Sequence, residues 1–100
     1  MSHFSTIKTK IRETEPLIKA LDQLGYNPNQ DEKFVKGYQG KFTAVDISVD
    51  LPESTKVGFK WDTNSNSYEL VTDLDLWKYN LPVERFISKV TQMYAYHTII

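Results

Sequence analysis

The chain has 100 residues, of which 40% are hydrophobic and 25% are charged. This is the composition of a folded domain rather than of a disordered segment, and the length predicts one domain over residues 1–100 with a thin core. The chain contains no cysteine, which excludes disulfides, thiolate metal sites and cysteine nucleophiles. The sequence predicts no membrane span and no signal peptide, hence a cytoplasmic or stromal location.

The net charge of −1 is unevenly distributed. Residues 1–42 carry seven Lys or Arg and five Asp or Glu, residues 43–77 carry two and seven, and residues 78–100 carry three and one. An acidic middle segment disfavours nucleic acid and favours basic partners or cations, although dispersed charge often serves only solubility.

The N-terminal segment predicts a strand followed by a helix. Side chains alternate from His3 to Ile11, which predicts a strand with a basic outer face. Thr14 has the character of a helix N-cap, Pro16 suits a first helical turn, and Gly25 suits the left-handed residue that ends a helix. The pattern therefore predicts a helix over residues 15–24.

The middle of the chain predicts a meander. Pro28 and its polar neighbours predict a loop over 27–32, and four strand-like segments follow it: Lys33 to Tyr38, Phe42 to Leu51, Lys56 to Asp62 and Ser67 to Thr72. Gly37 and Gly40 allow the positive φ angles of a tight hairpin between the first two. Alternation from Thr43 to Leu51 predicts one continuous buried face, and Gly58 is expected to point away from it.

The last third predicts a short helical turn and a long helix. Thr72 or Asp73 is expected to cap a turn over Leu74 to Tyr79. After Pro82, apolar positions recur with helical spacing, and they are Val83, Phe86, Ile87, Val90, Met93, Tyr94 and His97. Phe86, Ile87 and Val90 are expected to form the centre of the core. The whole pattern predicts an α+β fold, in the order strand, helix, four strands, helix, with about five antiparallel strands and both helices on one sheet face.

The motifs of catalysis are missing from this sequence. It contains neither a phosphate-binding glycine loop nor a G-x-S-x-G turn. His3 and His97 are far apart in sequence and would meet only if the first strand packs near the last helix. We therefore predict no catalytic residue, no metal and no cofactor, and a small metal-dependent or hydrolytic enzyme is the third hypothesis for function.

A single-stranded nucleic-acid module is the second hypothesis. Basic and aromatic residues are interleaved in the first half of the chain, as in single-strand binding platforms. The candidate face consists of Lys8, Lys10, Arg12, Lys36 and Tyr38. The acidic middle segment weighs against this hypothesis.

The favoured hypothesis is a surface that binds a protein partner. Aromatic, acidic and imidazole groups exceed structural needs at the connection after the last strand and at the end of the last helix. The candidate contact residues are Asp73, Asp75, Trp77, Tyr96 and His97. In the alternative interpretation Trp77 belongs to the core and Asp73 only caps a helical turn.

Five short motifs carry a resemblance over nearly the whole chain. They are Met1 to Thr9, Gly37 to Gly40, Gly58 to Trp61, Tyr68 to Leu74 and Tyr94 to His97. In this order they resemble the hypothetical chloroplast reading frame thirty-five family of cyanobacteria and algal plastids. The resemblance implies a cyanobacterial or plastid source and a protein partner, for which an AAA-type ATPase is a candidate. It also implies a further strand after the last helix, which this chain is expected to lack. Together these observations favour a non-enzymatic interaction or assembly module.

Overall fold

The structure is a computed structural model that describes residues 4–37 and 40–99. Its strands are β1 Phe4–Lys8, β2 Asn27–Asn29, β3 Phe34–Lys36, β4 Phe42–Ala44, β5 Ile47–Leu51, β6 Thr55–Asp62 and β7 Ser67–Asp73, and its helices are α1 Thr14–Gln23 and α2 Val83–Ile99. Short 3-10 turns occupy Pro52–Ser54 and Leu74–Leu76. The predicted α+β class and the order of elements are confirmed.

Five strands form one antiparallel sheet in the order β1-β7-β6-β5-β2. The register places Phe59 of β6 opposite Leu70 of β7 and opposite Ile47 of β5, so three large apolar side chains lie side by side. Residues of both helices, including Leu21 and Phe86, belong to the same buried cluster. The two helices therefore cover one face of the sheet, as predicted.

The long helix supplies much of this core. Phe86 and Val90 are completely buried and Tyr94 is nearly so, which confirms the predicted stripe. Ile87 is only partly buried, so its predicted place at the centre of the core is wrong. Successive residues of an α-helix are rotated by about 100°, so Ile87 lies at the edge of the apolar stripe when Phe86 points into the core.

The start of α1 differs from the prediction. Thr14 is the first helical residue and Glu13 is the N-cap, without a side-chain hydrogen bond to the helix. The Thr14 hydroxyl instead forms a hydrogen bond with the Tyr68 hydroxyl. The amides of Arg12 and Glu13 both donate to the Tyr94 hydroxyl oxygen, at 3.0 and 3.1 Å. A tertiary partner thus replaces the predicted local cap.

The predicted loop over 27–32 contains an edge strand. Asn27 pairs with Asp50 and Pro28 pairs with Val49 of β5. A proline is tolerated here because an edge strand has one side without a ladder neighbour. The strand stops at Asn29, whose side-chain oxygen accepts two backbone N–H groups of the residues that follow.

The predicted continuous strand from Phe42 to Leu51 is broken, and the four-stranded meander is therefore wrong. Asp46 anchors the break to β6, because its N–H donates to Phe59 O at 2.9 Å and its carboxylate accepts the Trp61 N–H at 2.7 Å. Upstream of this break β4 leaves the main sheet and pairs only with β3. Three of the four predicted strands form the meander β5-β6-β7.

The β3–β4 hairpin packs on the opposite face of the main sheet. Val35, Val45 and Val71 form a second buried cluster there. Gly58 makes this packing possible, since a Cβ at this position would overlap Val45 Cγ1 and lie 2.8 Å from Val35 Cγ2. Gly58 points away from the main core as predicted, but into a contact rather than into solvent.

The two hairpin glycines have different roles. Gly40 has a φ of +73°, as predicted for a tight turn. Gly37 does not adopt a positive φ; instead, a Cβ there would lie 2.5 Å from Phe4 Cζ. Its small size thus allows the ring of Phe4 to approach the hairpin.

The helical turn after β7 is shorter than predicted. It ends at Leu76, and Asp73 caps it by accepting the Asp75 N–H at 3.0 Å, which confirms one of the two predicted caps. The Thr55 hydroxyl accepts the N–H groups of Lys78 and Tyr79, at 2.9 and 2.8 Å. These bonds hold the chain along the end of the sheet and prevent a longer turn.

Candidate functional site

The outer side of the β3–β4 hairpin presents an apolar surface. Val45 N–H donates to Lys33 O and Gly37 N–H donates to Lys41 O, which fixes the register of the hairpin. Side chains of facing residues lie on the same side of a two-stranded sheet. Val35 and Thr43 therefore point inward, and we define the hairpin face by the four side chains that point outward: Phe34, Lys36, Phe42 and Ala44.

The two phenylalanines dominate the hairpin face. Phe34 is 45% exposed and Phe42 is 59% exposed. Their rings pack edge to face, with centroids 5.1 Å apart and planes at 85°. Single exposed apolar residues are common in soluble proteins, whereas contiguous exposed apolar groups are a feature of interaction sites.

A cavity of about 350 Å³ lies between the hairpin and the two 3-10 turns. Its lining combines apolar and charged groups, which are Glu32, Phe34, Lys36, Gly37, Phe42, Ser54, Lys56, Asp73 and Leu76. A second, shallower depression beside β4 is lined by Lys33, Phe34, Phe42, Thr43 and Ala44. Concave surfaces therefore flank the aromatic pair on two sides.

The acids of the cavity already have basic partners or backbone contacts. Lys56 Nζ lies 3.3 Å from Glu32 Oε1 and 3.3 Å from Asp50 Oδ1. Burial alone would lower the pKa of the Lys56 ammonium, but hydrogen bonds to Asp50 and Glu32 outweigh it and raise this pKa. Asp73 is 4% exposed and caps the adjacent turn. Glu32, Lys56 and Asp73 are therefore already engaged by other groups of the chain.

The lysines of the hairpin are different. Lys33, Lys36 and Lys41 are exposed, and none forms an ion pair within residues 4–37 and 40–99. They surround the two phenylalanines with positive charge. The hairpin therefore combines an apolar centre with a basic rim, although the chain as a whole is slightly acidic.

A strained turn borders the cavity. Thr55 N–H donates to Pro52 O, and the two residues between them, Glu53 and Ser54, have φ values of 61° and 60°. Asn-Gly is the preferred pair for such a turn, because other side chains clash in the left-handed region. Strain of this kind often accompanies functional sites.

The predicted partner residues fall into two groups. Asp73 lines the cavity, Asp75 is exposed on the adjacent turn, and Trp77 is half-buried with its ring 6.0 Å from that of Phe86. The Trp77 indole N–H also donates to Leu81 O at 3.0 Å. This residue thus supports the core, and a contact role for the acidic pair stays a prediction.

The other group lies at the end of α2. Tyr96 is 55% exposed and its ring centroid is 5.3 Å from that of His97. His97 Nε2 lies 2.7 Å from Gln23 Oε1 of α1. Tyr96 follows Phe86 by ten residues, which corresponds to about 15 Å along the helix axis, so the structure does not join the two groups into one surface.

The predicted nucleic-acid face is also divided. Lys8, Lys10 and Arg12 are exposed along and beyond β1, and Lys8 Nζ lies 3.8 Å from the Asp62 carboxylate. Lys36 lies on the hairpin, and Tyr38 is outside the described residues. The β1 lysine is thus partly neutralised by Asp62 at the end of β6.

The described residues contain no group of three or more His, Asp or Glu side chains that could hold a metal ion. His3 lies outside them. No helix within them is long and apolar enough to cross a membrane.

Sequence reasoning missed the hairpin face as a unit. Phe34 and Phe42 are not among the predicted contact residues, and the sequence predicts one continuous strand from Phe42 to Leu51. The available signal was a glycine at position 58, in the centre of a predicted strand. A glycine in the centre of a strand can indicate that another backbone or side chain approaches closely.

The fold and this surface define a class: a small α+β domain that holds an apolar hairpin outside its main sheet. Residues 20–100 match the family described as "Protein of unknown function (DUF1257)", and the chain belongs to this family. It is 37% identical to the "Uncharacterized protein ycf35" of Guillardia theta and 37% identical to that of Pyropia yezoensis, over 100 residues in each comparison. Identity to the protein of the same name in Cyanophora paradoxa is 31%.

These three alignments cover 100% of this chain and 77% of each relative. They confirm the resemblance to the plastid reading-frame family. No solved structure matches the chain.

Proposed function

We propose that this chain is a non-enzymatic interaction or assembly module of cyanobacterial or plastid type, acting in the cytosol or stroma, and that the hairpin face contacts its protein partner. The observation that carries the proposal is the exposed, mutually packed pair Phe34 and Phe42. An AAA-type ATPase, implied as a partner by the family resemblance, is the first candidate to assay.

Aromatic side chains suit this role for a physical reason. They bury a large area while losing little side-chain entropy, and they concentrate at the centre of protein interfaces. The two rings also restrict each other, so part of the ordering cost of binding is met before the partner arrives. The hairpin itself is held by Val35, which is 1% exposed.

Other features of the surface favour a partner over a substrate. Two charged groups of the cavity, Lys56 and Asp73, already have hydrogen bonds to other groups of the chain. General acid–base catalysis requires a group that is free to exchange a proton with a substrate. A nucleic-acid role would require the basic residues to act together, whereas Lys8 is close to Asp62.

Affinity recovery from native cells, followed by mass spectrometry, tests the proposal. The chain and its Phe34→Ser, Phe42→Ser double variant would be used as baits at equal concentration. Because both rings are about half-exposed, we expect the melting temperature to stay within a few degrees while the recovered partner falls by about tenfold or more.

A second variant provides the control. Asp75→Ala, Tyr96→Ala, His97→Ala removes three of the five candidate contacts, at the other two places, while leaving the hairpin intact. If this variant loses the partner and the phenylalanine variant retains it, the interaction surface is the one predicted from the sequence and the hairpin proposal is wrong. Equal recovery by all three baits would also contradict it.

A further inference from the structure

The hairpin has an open backbone edge as well as an apolar face. The hydrogen bonds Val45 N–H to Lys33 O and Gly37 N–H to Lys41 O mark two hydrogen-bonded pairs of the β3–β4 ladder. Such pairs alternate with pairs whose backbone groups point away from each other. In this register Phe42 faces Lys36 and Ala44 faces Phe34, so the N–H and C=O groups of Phe42 and Ala44 point away from β3.

This outer edge of β4 is accessible. β4 pairs with β3 and with no other strand of the described chain. Phe42 and Ala44 are exposed, and the depression beside them is lined by Lys33, Phe34 and Thr43 as well. An unpaired edge of this kind is a template for an added strand, which gains backbone hydrogen bonds from the edge and specificity from side-chain pockets.

The charges around the edge indicate the chemistry of that strand. Lys33, Lys36 and Lys41 surround it, and none has an ion-pair partner among the residues that the structure describes. Phe34 and Phe42 lie between them. An occupant that is complementary to this surface carries carboxylates near the lysines and apolar side chains, at alternate positions, over the phenylalanines.

We propose that the free edge of β4 binds an extended, acidic peptide segment of a protein partner by strand addition. Apolar side chains at alternate positions pack on Phe34 and Phe42, and acidic side chains contact the three lysines. This inference rests on the proposed function, because it names the chemistry of the partner at the same hairpin.

A single-stranded nucleic acid is the competing occupant of a basic, aromatic surface. The backbone edge favours the peptide, because an added strand uses its N–H donors and its C=O acceptors in alternation, whereas phosphates use only donors.

A displayed library of random heptapeptides, selected on the intact chain, is the probe for this proposal. We expect enriched peptides to be acidic, with apolar residues at alternate positions. Synthetic copies of an enriched peptide should lose about tenfold or more in affinity when the amides that face β4 are N-methylated, since this blocks strand pairing without changing charge.

Two variants of the chain complete the test. Ala44→Pro removes an outward N–H without removing a β3–β4 hydrogen bond, because proline is tolerated on strand edges. Lys33→Glu, Lys41→Glu reverses part of the basic rim, and Lys10→Glu, Lys78→Glu, at two exposed residues outside the hairpin, is its charge-matched control. We expect the first two variants to lower the affinity for the peptide by about tenfold, and the control to change this affinity by less than about twofold. Thermal melts establish that each variant is folded, and Phe42→Ser serves in place of any that is not.

Four outcomes would overturn this inference. They are no enriched peptide, enrichment without acidic character, equal binding of the N-methylated peptide, and displacement of the peptide by single-stranded DNA at about 150 mM salt. In the first three cases partner recovery can still depend on Phe34 and Phe42, so the proposed function would stand. The proposed function would instead be contradicted if the parent chain and the Phe34→Ser, Phe42→Ser variant recovered the partner equally.

Discussion

Substitution of Gly58 tests whether the hairpin depends on its packing against the main sheet. A Cβ at this position would overlap Val45 Cγ1 and lie 2.8 Å from both Val35 Cγ2 and Val45 Cβ. Real Cβ contacts essentially never fall below 3.0 Å, so Gly58→Ala must displace the hairpin.

The expected cost follows from two opposing effects. Overpacking a close contact costs about 1–3 kcal/mol. Alanine in place of glycine would by itself stabilise a strand by about 0.5–1 kcal/mol, because it reduces the entropy of the unfolded chain. We therefore expect Gly58→Ala to lower the free energy of unfolding by about 1–2 kcal/mol, measured by urea denaturation.

A double-mutant cycle assigns this loss to the contact. Val45→Ala removes the methyl group that overlaps the added Cβ, so Gly58→Ala, Val45→Ala should lose less stability than the sum of the single variants. If Gly58→Ala is as stable as the parent, or if the two losses add, the packing of the hairpin on Gly58 is wrong.

Three further predictions test other parts of the structure. Phe86→Ala should cost about 3–5 kcal/mol in denaturant melts, because the side chain is completely buried; a loss below about 1 kcal/mol would contradict the core described above. Glu53→Asn, Ser54→Gly should raise the unfolding free energy by about 1–2 kcal/mol, since it relieves two left-handed residues, and an unchanged or lower value would contradict the strain. Hydrogen bonds from the Asn64 N–H and the Ser65 hydroxyl hold the pKa of Asp62 below its usual range. The ionised carboxylate therefore stabilises the fold above the pKa that Asp62 has in the unfolded chain, and this stabilisation is lost as pH falls through its pKa in the folded chain. NMR titration should therefore place the pKa of the Asp62 carboxyl below that of an unperturbed aspartate, and a higher pKa would contradict these contacts.

Local patterns predicted most of the helices and of the main sheet. The stripe of α2 was recognisable because one face of a long helix must be apolar to cover a sheet, and Phe86 and Val90 occupy that face. Gly25 ends α1 with a φ of +86°, as its sequence position suggested. In both cases the signal and the structure involve residues close together in the chain.

The errors arose where distant residues decide the local conformation. The tyrosine that bonds the backbone before α1 is 81 residues away from Glu13, so no local motif could indicate it. Pro28 suggested a loop because the open side of an edge strand is not visible in a sequence. The break at Asp46 depends on its hydrogen bond to the Trp61 N–H, 15 residues later.

The candidate site was the least predictable feature for the same reason. Its surface exists because the hairpin leaves the main sheet, and this departure depends on the break at Asp46 and on the space above Gly58. The residue types of the hairpin were noticed in the sequence, but their common face was not. Tyr96 and His97, which the sequence did suggest, remain neighbours at the end of α2.

Site-specific photo-crosslinking tests the central claim most directly. A photoreactive benzoyl derivative of phenylalanine would replace Phe42 in one variant and Tyr96 in another, since both side chains are more than half exposed. After irradiation in native cells, we predict that position 42 forms a crosslink to a protein partner and that position 96 forms none with the same partner. A crosslink at position 96 and none at position 42 would contradict the assignment of the hairpin face as the interaction surface.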